Sequence, residues 1–171
     1  MCLQCDGYSY EEVMQALDLQ IRVQGWVLQH VHDDHTGASW SYTIGLVERY
    51  GHPELTMLDV TLDQQNRVIR RLVDDIVTRG SVSPLTVLAE GLEIVDVHPD
   101  HLVGDLFATW GNRYGFPPPP GTMQQVLLPS SAFCPCHADA VTRLDKPGPL
   151  PPRYASQKRR PNRAERRRRR G

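Results

Sequence analysis

Four cysteines mark the two ends of the compositionally ordinary part of this chain: Cys2 and Cys5 open it, and Cys134 and Cys136 close it, with His137 directly after. A Cys-x2-Cys pair facing a Cys-x-Cys-His cluster is the donor set of a tetrahedral zinc ion. The spacing predicts one zinc held by Cys2, Cys5, Cys134 and Cys136, with His137 in reserve. Such an ion ties the N-terminus to the end of the domain and names no reaction. Disulfide exchange is the poorer reading, because Cys2 does not open a helix after a strand, where that chemistry is housed.

Tyr42, Gly45, His52 and Glu54 form a second candidate site. Gly45 permits close approach of backbone or ligand, His52 titrates near neutral pH, and Glu54 can orient it or act as a base. A cleft lined by the four, with His52 and Glu54 as the catalytic candidates, would suit a small hydrolase. The competing reading is structural: Gly45 at a bulge, His52-Pro53 in a turn, and Glu54 capping its neighbours' amides. No nucleophile with an adjacent base is visible.

His30, His32 and His35, with Asp33 and Asp34, make a third cluster. On a strand His30 and His32 point to the same face, the spacing a second metal would need, although a solvated hairpin end collects the same residue types. His98 and His101, on either side of Pro99, read as capping or surface residues.

Charge separates the chain into two parts. From Arg153 onward there are ten basic residues and one acid, about +9, whereas the remainder has nine basic and nineteen acidic residues, about -10. The proline-rich stretch 146–152 predicts an extended linker, and the tail beyond it predicts disorder. This gives an expected α+β domain over 1–145 and a linker with an arginine-rich tail over 146–171. Arg159, Arg160, Arg163, Arg166, Arg167, Arg168, Arg169 and Arg170 suit phosphate neutralisation with little sequence preference, so nucleic acid or a ribonucleoprotein is the expected partner. Tyr154 is the tail's one aromatic residue, which does not support base stacking. No apolar run approaches the roughly 20 residues that cross a bilayer, and no basic-then-apolar leader opens the chain. A soluble, cytoplasmic protein without membrane contact is expected.

These residues need elements to position them. Ser9 and Glu12 form a capping box before Val13, Met14, Leu17 and Ile21, predicting a helix over 9–24 that Gly25 stops. Strands are expected over 26–31 and 40–46, the second with Trp40, Tyr42, Ile44 and Leu46 on one face. A third strand follows over 55–60. Thr61 and Gln64 then cap a helix with the stripe Val68, Ile69, Leu72, Val73, Ile76 and Val77, closed by Gly80. Short strands are expected near 85–88 and 92–97, a third helix carries Leu102, Val103, Leu106, Phe107 and Trp110 and ends at Gly111, and a last strand covers 124–128. With 171 residues, 40% of them hydrophobic, there is enough chain for one core. The pattern predicts a single α+β domain, a largely antiparallel sheet packed by about three helices.

Two stretches of this pattern, Tyr42-Thr43-Ile44-Gly45-Leu46 and Gly51-His52-Pro53-Glu54-Leu55, resemble the paired signature of a bacterial family known as domain of unknown function 4262. The opening Cys2 and Cys5, the Gly25-Trp26 pair and the late Gln125-Val126-Leu127-Leu128-Pro129 are also similar to that family's pattern. The resemblance covers roughly residues 1–130. It implies an α+β fold and supplies no activity, substrate or catalytic residue; the Cys134-Pro135-Cys136-His137 cluster and the arginine tail look like a C-terminal extension. The sequence therefore leaves two functions open. One is a zinc-clasped binding or accessory module with a cationic tail, the other a small hydrolase-like enzyme.

Overall fold

The computed structural model describes residues 9–32, 37–129 and 141–154. Helix α1 (Tyr10–Gln24) starts on the predicted capping box: the Ser9 hydroxyl accepts from the Glu12 amide, and the Glu12 carboxylate accepts from the Ser9 amide at 2.7 Å. Strands β1 (Val27–His32), β2 (Ser39–Ile44) and β3 (Glu54–Leu58) follow as an antiparallel meander, with the short helix α2 (Leu46–Tyr50) between β2 and β3. Helix α3 (Leu62–Arg79) carries the second predicted capping box, Thr61 with Gln64. After it come α4 (Pro84–Glu90), β4 (Glu93–Asp96), α5 (Pro99–Leu102), α6 (Ala108–Tyr114) and β5 (Met123–Leu127).

The strands form one five-stranded sheet in the order β1-β2-β3-β5-β4, antiparallel throughout except for the parallel β3–β5 pair. Alternation of side chains divides the core between its faces. On one face α3 lays Val68, Ile69, Leu72, Val73 and Ile76 over Leu55, Met57 and Val126. On the other, Trp40, Tyr42, Ile44, Leu58 and Met123 meet α1, the α5–α6 region, Leu144 and Tyr154. This is the expected α+β domain with a mostly antiparallel sheet, and the described residues form six helices rather than about three.

Four local expectations are corrected. The segment near 85–88 is helical, because Pro84 cannot donate in a strand ladder yet fits the first turn of a helix. Its Leu85 and Leu88 lie about three-quarters exposed, so they are not a buried strand's apolar run. The single helix expected through Leu102 and Trp110 is two short ones, broken at Gly104, whose φ of 124° belongs to no right-handed helix. Leu46 does not end β2 but begins α2. Finally, the body does not end at residue 145. Leu144 is fully buried, Leu150 packs on the core, and Tyr154 stands edge-on to Trp40 at 5.7 Å. The prolines of 146–152 thus run along the domain, and the described core extends to Tyr154.

Candidate functional site

The two sequence motifs meet at the junction of β2, α2 and β3. Glu54, the first residue of β3, has no solvent exposure, and its carboxylate is surrounded by donors. The Thr43 hydroxyl donates at 2.6 Å, and the backbone amides of Gly45, Leu46 and Val47 donate at 2.7, 3.2 and 3.4 Å. These amides open α2 and have no partner within the helix, so the carboxylate takes the place of an N-cap. Thr43 Oγ1 in turn accepts from the Leu55 amide at 2.9 Å, which locks the two motifs together. Burial pushes the Glu54 pKa up, and the four donors pull against that rise.

Gly45 is demanded by the same junction. A Cβ there would sit 2.7 Å from the Gly25 carbonyl oxygen and 3.1 Å from Trp26 Cα, and the φ of 114° suits no other residue. Backbone, not ligand, comes close at this glycine. Tyr42 is also wholly buried; its hydroxyl accepts from the Thr109 amide at 3.1 Å, its ring meets Phe107 edge-on at 5.2 Å, and burial raises its pKa to about 12. His52 is half-buried, with Nδ1–H donating to the Pro53 carbonyl at 2.8 Å. Among the described residues no hydrogen bond joins His52 to Glu54. The cleft expected around Tyr42, Gly45, His52 and Glu54 is therefore closed at Tyr42 and Glu54, whose polar atoms are already engaged inside the fold. Two surface cavities, of about 320 and 490 Å³, open elsewhere: one beside Arg67, Arg70 and Arg71 of α3, the other beside Phe107 and Phe116.

His30 and His32 do share a face of β1, opposite Ser41 and Ser39 in the ladder. His30 Nδ1 lies 2.6 Å from Ser41 Oγ. Ser41 gives its only proton to Gln65 Oε1, so Nδ1 of His30 must be the donor in that pair. Gln65 is fixed the other way round by its Nε2, which donates to the Val60 carbonyl at 2.9 Å. Burial lowers the His30 pKa, with the Asn66 side chain opposing. Among the described residues no group of three His, Cys, Asp or Glu side chains could hold a metal. Asp33, Asp34, His35, Cys2, Cys5, Cys134, Cys136, His137 and the arginines from Arg159 to Arg170 lie outside the described residues. No described helix is long and apolar enough to cross a membrane.

The paired motifs and the fold that carries them agree with one family, described as a domain of unknown function (DUF4262), whose sequence profile matches residues 20–132. The chain belongs to this family. Comparison with curated proteins and with solved structures returns no match. Both motifs lie inside the DUF4262 match, as do Trp40, Asp59 and Gln125, whereas the segment 141–154 lies past its end. Sequence reasoning missed Thr43, Asp59 and Gln125 as organising residues. Gln125 carried a signal, being an amide amid buried Met123, Val126 and Leu127. Asp59 carried none, since its left-handed φ of 62° is visible only in the folded chain.

Proposed function

We propose that this chain is a binding or accessory module, not a hydrolase, with its terminal cysteines clasped by zinc and its arginine tail directed at nucleic acid. The observation that carries the choice is the state of Glu54, buried and saturated by four donors at the start of α2. A general base must reach its substrate's proton, and this carboxylate would first have to abandon three helix amides. The motif pair is thereby accounted for without chemistry.

The zinc clasp rests on the sequence: two cysteine clusters at opposite ends and no cysteine between them. Cys2, Cys5, Cys134 and Cys136 would hold the ion, with His137 able to replace one sulfur. Closed four-ligand sites are structural, so the ion would stabilise the fold and supply no open position for a substrate. The tail's role rests on its charge, since eight arginines from Arg159 to Arg170 present a polycation to a polyanion. Metal analysis of the purified protein should give one zinc per chain, and replacing Cys134 and Cys136 with serine should abolish it. Full zinc content in that double variant would remove the clasp.

A further inference from the structure

The segment 141–154 is held in a way that differs from ordinary core packing, because its main chain is read group by group. The Thr142 amide donates to Asp59 Oδ2 at 2.6 Å, and the Thr142 carbonyl accepts from Gln125 Nε2 at 2.7 Å. The Leu144 amide donates to Gln125 Oε1 at 2.7 Å, and the Leu144 carbonyl accepts from the His98 amide at 2.6 Å. His101 Nε2–H then reaches the Lys146 carbonyl at 2.8 Å. The single amide of Gln125, almost fully buried, thus reads one carbonyl and one N–H two residues apart.

Side chains add anchors to this frame. Leu144 enters the core with no exposure, while the preceding Arg143 stays at the rim and grips Glu93 with two bonds of 2.8 and 2.7 Å. Farther on, the Tyr154 hydroxyl donates to Asp59 Oδ1 at 2.6 Å and its ring meets Trp40. Main-chain hydrogen bonds for affinity and a few side-chain pockets for selectivity are the construction of a peptide-recognition site. Every receiving residue, Trp40, Asp59, Glu93, His98, His101 and Gln125, falls inside the 20–132 match, and the received segment falls outside it.

We infer that this face of the domain is a peptide-binding groove, and that residues 142–154 are its built-in ligand. The groove takes a short non-helical peptide with an apolar side chain at the position of Leu144 and a cation immediately before it. The inference goes beyond the proposed function and needs neither the zinc nor the nucleic-acid contact.

Exchange tests it on the full chain. A protease recognition sequence is placed at residues 138–140, the intact variant is first shown to melt as the parent does, and it is then cleaved. A fluorescein-labelled peptide of residues 141–154 should enter the cleaved protein with a rise in anisotropy, and the same unlabelled peptide should compete. Uncut protein should take up little label. The peptide carrying Leu144→Asp should bind about 100-fold more weakly, whereas Arg143→Ala should cost only several-fold. In the uncut protein, Leu144→Ala in the built-in segment should speed uptake of the parental label, because it weakens the resident ligand and leaves every receiving residue unchanged. The peptide ends before the arginine run, and metal content is read separately, so loss of zinc or of nucleic-acid binding would not mimic failure here. Unfolding of the body when the fragment is displaced, absence of exchange, or equal binding of the Leu144→Asp peptide would overturn the inference.

Discussion

At Glu54 a charged residue in the middle of a signature turns out to be a cap. Three amides at the start of α2 have no partner in the helix, and a carboxylate from the next strand supplies one. Glu54→Ala should therefore cost on the order of 3 kcal/mol or more, since it leaves buried donors unpaired. Glu54→Gln should not rescue, because its amide nitrogen would turn a donor toward donors. Denaturant unfolding of both variants checks this; a catalytic role would predict near-parental stability in each. His30 gives a pH prediction. Burial holds its folded pKa below the ordinary 6.5, so the neutral imidazole is favoured and contributes stability that is present above about 6.5 and lost as pH falls through the lowered value. Melting temperature measured from pH 8 down to pH 5 should show this loss, and His30→Asn should lack it.

At the scale of elements, α1 and α3 were legible because their boundaries are written locally, in Ser9 with Glu12 and Thr61 with Gln64. The strands were legible to within two residues from alternation alone. The misreadings share a cause: their decisive contacts are non-local or ambiguous over short spans. Leu85 and Leu88 fit a strand's apolar pattern as well as a short helix's, and only the position of Pro84 decides. The structural reading of the motif named Glu54 as a cap of nearby amides, but not that those amides open a helix, since α2 is too short to show a periodic pattern. The C-terminal segment was hardest to read, because Thr142 and Leu144 are held mainly through main-chain groups, which no side-chain pattern encodes. Its docking makes a specific prediction. Ending the chain after Leu150 removes Tyr154 from Trp40 and Arg153 from Asp59, and should cost about 3 kcal/mol. Ending it after Tyr154 should leave stability near that of the full chain, as urea titration of the two truncations would show. Equal stability of both would return these residues to the status of a linker.

The whole molecule combines an acidic part through Pro152, about -10, with a cationic part from Arg153 onward, about +9, near whose start Tyr154 is buried against the core. On the proposed reading, attraction between tail and body would compete with external polyanions at low salt and fade as the Debye length shrinks. Counterion release would make the proposed nucleic-acid contact the steeper of the two functions of salt. The central claim, a folded module carrying a nucleic-acid-directed tail, is tested most directly by fluorescence anisotropy of a labelled single-stranded RNA. The full chain and a chain ending after Tyr154 are titrated at several potassium chloride concentrations. The account predicts binding by the full chain, with a slope of log affinity against log salt on the order of -5 if most of the eight arginines engage phosphates, and near-complete loss in the truncated chain. Equal affinity of the two chains at low salt would contradict it.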